Sequence, residues 1–449
     1  MSAVRVAPAV LLVLVLGSSP AVAASGQAIE VALRAVGHTD LGGGSWDDVA
    51  VVGTTAIVSP AAGTSCGPSA AAVVDLKDPR RPRPVATVPA AGGLAVVAVA
   101  AAAVAVAAPA FTGDLAAVAV RSCAPGAAGA GVVYYDVTVP SRPRLLGRLD
   151  RAAARSVSVA ARKDGRVIAA VVSGDGAGVV LALDDVTDPT RPQPVGRWAP
   201  SAAPGAARCP EDAADVELAD TGDRAMVTVP GGDVYDLDLS EPAGPVVAGR
   251  IPARPGGGRA RDAVALPVGR RTLAVVAEDD APGGGCTPGT DGRGLRLLNL
   301  AADASPSDAG EVRLPSPAAP GRLVASGELA FVAWHGDGLR VVDLGQVAPR
   351  TVAQFVPAAT GETADVVAVA LAGDHLAVTD RRSGLYLLER PAEGHRESIW
   401  DRVKSSIPFV AVPLILATVM TVPRLAMGRS PATSRSPSPV AARAPRRRR

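Results

Sequence analysis

The sequence predicts an all-β fold, a seven-bladed β-propeller, with a C-terminal transmembrane helix. Three observations carry this. An apolar run ending in an acidic or amide residue and a proline turn recurs at steps of about 45 to 60 residues, a spacing at which repeats build propellers or solenoids. Around each occurrence the sequence spells out four short strands. Far downstream, an uncharged apolar stretch is followed by a run of arginines.

The recurring phrase reads Val-Val-Asp75-Leu-Lys-Asp-Pro-Arg-Arg-Pro, Tyr-Tyr-Asp136-Val-Thr-Val-Pro-Ser-Arg-Pro, Leu-Asp-Asp185-Val-Thr-Asp-Pro-Thr-Arg-Pro and Tyr-Asp-Leu-Asp238-Leu-Ser-Glu-Pro. Weaker echoes end at Asn299, Asp343 and Glu389, which makes seven anchors. Each aspartate is expected to open an Asx-type turn whose prolines preset the backbone. In the last unit, Asp365–Leu371, Leu376–Thr379 and Leu385–Leu388 read as successive strands separated by turn residues. Elsewhere a more polar fourth strand follows the phrase, as at Val85–Val88, Leu145–Arg148, Val195–Trp198 and Val352–Phe355. Four strands make one blade, and each blade opens with a nearly continuous apolar strand suited to burial on both faces. The last unit lacks its fourth strand, while Ile29–Gly37 is a strand without a blade. Joining the two is expected to close the ring, so trimming residues 25–37 should cost far more stability than an ordinary terminal deletion.

The repeated phrase resembles that of the LVIVD-repeat family, bacterial and archaeal propellers with the pattern apolar-apolar-Val-Asp-Val-Ser-Asp-Pro and a further proline. The resemblance covers about residues 28–391, is close in the first three units and decays at Asn299 and Glu389. It implies a β-propeller at the cell surface or secreted, and implies little biochemistry.

The two ends predict location. Residues 1–24 carry Arg5, an apolar run of about a dozen residues and Ala21-Val-Ala-Ala24, the pattern of a secretory signal peptide. Residues 25–391 then form the ectodomain and 392–406 a juxtamembrane linker. Residues 407–427 form a membrane span that tolerates Pro408, Pro413 and Pro423 near its ends or as a kink. Residues 428–449 form a basic tail with Arg446 to Arg449 and no acid, which orients it to the cytoplasm. The formal net charge is +2 with much of the positive surplus in that tail, so nothing suggests a nucleic-acid partner. Lysine occurs only at 77, 163 and 404 amid abundant Arg, Ala, Gly and Pro, the actinobacteria-like bias of a GC-rich coding sequence.

Four cysteines in an exported chain predict disulfides. Cys66, Cys123, Cys209 and Cys286 fall in loops that open on one face, and adjacency favours Cys66 with Cys123 and Cys209 with Cys286. The same face is expected to gather the candidate ligand-binding residues His38, Trp46, Asp48, Asp215, Asp262, Trp334, His335 and Asp365. Asp48, Asp215, Asp262 and Asp365 would circle the mouth of a central channel, where Ca²⁺ or another hard cation would offset their repulsion. The alternative is that each carboxylate caps its own turn and faces its neighbour's amides. There is no Gly-x-Ser-x-Gly elbow, His-Glu-x-x-His or phosphate loop, so no catalytic residue is assigned. The expected role is a binding scaffold for a protein or small ligand at the cell surface. A propeller hydrolase or dehydrogenase using the same face is the competing class.

Overall fold

In the computed structural model the described residues run from 31 to 391, apart from 62–68, 90–94, 105–110, 122–129, 152–153, 175–178, 201–213, 230–231, 255–257, 281–293, 302–303, 315–317, 347 and 359–362. They belong to the first of two compact units, Met1–Glu393. The expected signal sequence at 1–24, the apolar stretch 407–427, the basic tail and all four cysteines lie outside the described residues. Among the described residues no helix is long and apolar enough to cross a membrane.

Seven antiparallel sheets, here called blades 1 to 7, follow one another along the chain. Their innermost strands are Trp46–Val52, Ala95–Val104, Ala154–Ala161, Asp215–Leu218, Gly258–Val268, Leu323–Ser326 and Val366–Ala372. In blades 1 to 6 the chain steps outward through four consecutive strands. In blade 7 the outermost strand comes from the opposite end of the chain: Ala35–Thr39 pairs antiparallel with Gly384–Glu389, aligning His38 with Tyr386. The expected N-terminal strand is therefore real but divided. Its first part, Val31–Ala32, instead adds a fifth strand to blade 6, parallel to Arg350–Phe355, with the Leu33 amide donating to the Gln354 carbonyl at 2.7 Å.

A blade on its own cannot cover both its faces, and the apolar residues show how the faces are covered. Among the described residues seven buried apolar clusters form, each built from two successive blades. One packs Val49, Ala56, Val58 and Val74 of blade 1 against Ala368, Ala377, Leu385 and Leu387 of blade 7, which closes the ring.

The outermost strands share a device that periodicity does not reveal. In each, one residue bulges out of the ladder: Val36, Val85, Leu146, Val195, Ala248, Ala309 and Val352. The residue after the bulge is Gly or Ala, and at Gly37, Gly147 and Gly196 a Cβ would overlap the carbonyl oxygen of Pro79, Pro189 and Pro242, in the proline turn of the next blade. These three proline turns thus seat on the glycine of the preceding blade, and Gly37 makes this contact across the closure.

Candidate functional site

The anchor aspartates do the local work expected of them. Asp75, Asp136, Asp185, Asp238 and Asp343 each accept a hydrogen bond at Oδ1 from the amide two residues on, at 2.8–3.0 Å. The apolar residue after each is buried, and the amides of Leu76, Val137, Val186, Leu239 and Leu344 donate at 2.8 Å to a carbonyl at or just before the second strand of the same blade. These residues are framework, on the face opposite the candidate site.

At the channel, three of the four expected ring carboxylates converge. Asp48 and Asp262 each follow a bulge that opens an innermost strand, and Asp215 begins the innermost strand of blade 4. Asp48 accepts from the Val49 amide at 2.9 Å and from the Val99 amide of blade 2 at 3.2 Å. Asp262 accepts from Ala263 at 2.7 Å and from Leu323 of blade 6 at 2.8 Å. In blade 3 a hydroxyl takes the equivalent part: Ser156 donates to Asp215 and accepts from Val216. Each side chain stitches its own blade to the next.

Two charged residues that sequence reading did not single out complete this cluster. Arg322 crosses from blade 6 to pair with Asp215 of blade 4 and, at 3.3 Å, with Asp48 of blade 1. Glu217 lies two residues beyond Asp215, and alternation on a strand puts both on one face. The signal for Arg322 was its place: a cation just before an apolar innermost strand, where blades 1, 3, 4 and 5 carry Asp or Ser. Four carboxylates thus face one guanidinium. Burial works against the charge of Arg322, but Asp215, Asp48 and Asp262 hold it protonated. Burial raises Asp48 despite Arg322, pushes Asp262 up to about 7 with help from the Asp215 charge, and lifts Glu217 far above the usual carboxylate range. The cluster meets its charge cost with amides, a guanidinium and protons. Among the described residues no group of three or more His, Cys, Asp or Glu is arranged to hold a metal ion.

Asp365 is not part of this ring. The blade 7 residue in register with Asp48 is Ala368, and Asp365 sits three positions earlier. It accepts from His335 Nδ1 at 2.7 Å and from Arg381 at 3.2 Å, while Arg381 reaches Asp47 at 2.6 Å. Burial opposes its charge, but the His335 hydrogen bond and the Arg381 charge hold Asp365 below its ordinary value. His335 has φ of +37°, unusual for a residue with a side chain, and its backbone carbonyl accepts from Val366 of blade 7 at 3.0 Å. The result is a braced chain of polar side chains across blades 6, 7 and 1.

The remaining candidates separate. Trp334 is fully buried in the seam between blades 5 and 6, its indole donating to the Ala318 carbonyl at 3.0 Å, so it is a core residue and not a surface platform. Trp46 is likewise buried, in the seam between blades 7 and 1. His38 stands on the outermost strand of blade 7, stacked on Tyr386 at 4.2 Å with Nε2 2.6 Å from the Ser383 carbonyl, away from the channel.

The chain matches no protein-family model and no curated protein sequence. Solved structures do resemble it. A chain in the crystal structure of the mitotic checkpoint complex is 12% identical with a TM-score of 0.52, covering 81% of this chain and 94% of that one. Raptor from Chaetomium thermophilum is 10% identical with a TM-score of 0.51 over 80% of this chain and 29% of Raptor. The C-terminal WD40 domain of Sif2 is 13% identical, with a TM-score of 0.48 over 81% and 99%. The fold is a seven-bladed β-propeller. At such identities the likeness concerns this propeller's architecture alone.

Proposed function

We propose that this propeller is an exported, membrane-tethered binding scaffold of the LVIVD-repeat type, which takes a protein or small ligand on its loop face at the cell surface. One observation supports the binding role above others: the charged residues of the channel are already committed to stitching blades together. Asp48, Asp215 and Asp262 hold amides and Arg322, so reactivity is muted where an enzyme's centre would be expected. What remains for recognition is the loop surface of blades 6, 7 and 1, held rigid by the chain His335–Asp365–Arg381–Asp47. The signal sequence at 1–24, the span at 407–427 and the arginine tail support export and tethering.

A photo-reactive residue placed at Asp40 on the loop face, or at Asp78 on the proline-turn face, tests this in intact cells. Adducts from position 40 and none from 78 are expected. Adducts from 78 alone, or from neither, contradict the reading. Protease added outside the cell should degrade the propeller and spare a tag at the C-terminus.

A further inference from the structure

The seam between blades 2 and 3 holds a polar cluster that neither the repeat nor the loop face accounts for. Asp184 stands where the other third strands carry Val74, Tyr135, Leu237, Leu298 and Val342, each paired across the outer-strand bulge. Tyr134, one blade earlier, occupies the adjoining position held by Val73, Leu183, Leu297 and Val341 in blades 1, 3, 5 and 6. Both residues have no exposed surface. Arg151, at the end of blade 2, reaches in to pair with Asp184 Oδ1. Three atoms are then left without a protein partner: Tyr134 Oη, Asp184 Oδ2 and Arg151 Nε. The groups sense one another, since after burial itself the Asp184 charge is the next cause that raises the Tyr134 phenol. Tyr135 faces the other way, donating to the Pro89 carbonyl at 2.7 Å, so it offers no partner.

Leaving one buried polar atom unpaired costs about 1–3 kcal/mol, and three in one seam, contributed by two blades, make a strong demand for a ligand. The partner's chemistry is constrained. It must accept from the guanidinium N–H and donate to the carboxylate oxygen, while the phenol can do either. An ammonium ion cannot accept, and a halide cannot donate. We infer that this seam holds one hydroxylic molecule of water size, bridging Tyr134, Asp184 and Arg151 and serving as an internal part of the blade 2–3 joint.

Such a molecule exchanges slowly, so water-oxygen magnetic relaxation dispersion on the purified full chain detects it. The dispersion amplitude should fall by the equivalent of one long-lived water in the double variant Tyr134→Phe/Asp184→Leu, which makes the site apolar. Tyr134→Phe alone preserves the shape of the seam and should shorten the residence time by tenfold or more. In a crystal structure of the unsubstituted chain, a single density peak should lie within hydrogen-bond distance of all three atoms. An unchanged dispersion in both variants overturns the proposal. So does a direct Tyr134–Asp184 hydrogen bond with no peak between them.

Discussion

Arg322 shows most clearly how a single residue holds this molecule together. It is the cation among Asp48, Asp215, Asp262 and Glu217, and its side chain keeps 28% of its exposure. Breaking a buried pair by removing one partner typically costs about 3–5 kcal/mol, because the other charge is left behind. Arg322→Met should fall at the lower end at pH 8, given that residual exposure, and cost much less at pH 5, where Asp262 and Glu217 take up protons. Thermal unfolding at the two pH values checks this. The glycines supply a sharper contrast. Gly196→Ala should destabilise by about 1–3 kcal/mol, since the new methyl meets the Pro242 carbonyl of blade 4. Gly244→Ala, with open space around its Cα, should stay within about 0.5 kcal/mol, as denaturant midpoints would show. At this scale the sequence was legible where chemistry is local. An aspartate followed by a turn and proline announces its own hydrogen bond, whereas the value of Arg322 or Gly196 depends on a neighbouring blade.

At the scale of the strand, the N-terminal segment has two separable duties. Val31–Ala32 straps the outer edge of blade 6, and Ala35–Thr39 completes blade 7. Removing residues 25–33 exposes one edge and should lower the melting temperature by only a few degrees. Removing 25–39 also takes Val36 from the seam between blades 7 and 1 and the Gly37 seat from the Pro79 turn. That deletion should abolish a single cooperative transition in calorimetry, while equal melting of the two truncated chains would show that closure does not depend on this strand. The orphan strand was readable because a propeller that lacks one strand must find it elsewhere. Its break at residues 33–34 was not, because pairing with blade 6 is a long-range contact with no local signature. The placement of Asp365 failed for a related reason: it lies just before Val366, where its strand begins, whereas Asp48 is the third residue of Trp46–Val52, and where a strand starts is set by its pairing with the next strand and not by local sequence.

The whole ring carries an unusual electrostatic signature. In most proteins native carboxylates are paired, and acid weakens the fold. Here burial raises Asp48, Glu217 and Glu278, and it pushes Asp184 up to about 6 and Asp262 up to about 7. A carboxyl whose native value lies above its unfolded value binds more protons in the folded state. The stability it contributes is full below about pH 4, the unfolded value, and is lost as pH rises through the native value. Between about pH 4 and 7 these groups therefore favour the fold in mild acid, opposing the half-buried Asp365 and also Asp164, Asp188 and Asp238, which are held low by their hydrogen bonds. Glu217→Gln, a neutral isostere, should raise the melting temperature at pH 8 and leave it unchanged at pH 5. The acidic cluster at the channel is the ring's internal mortar, satisfied by amides, Arg322 and protons. The melting temperature of the full chain, compared at pH 5 and pH 8 in one buffer system without divalent metal, tests it most directly. A value at pH 5 higher by on the order of 5 °C is expected. A value higher at pH 8 would contradict it.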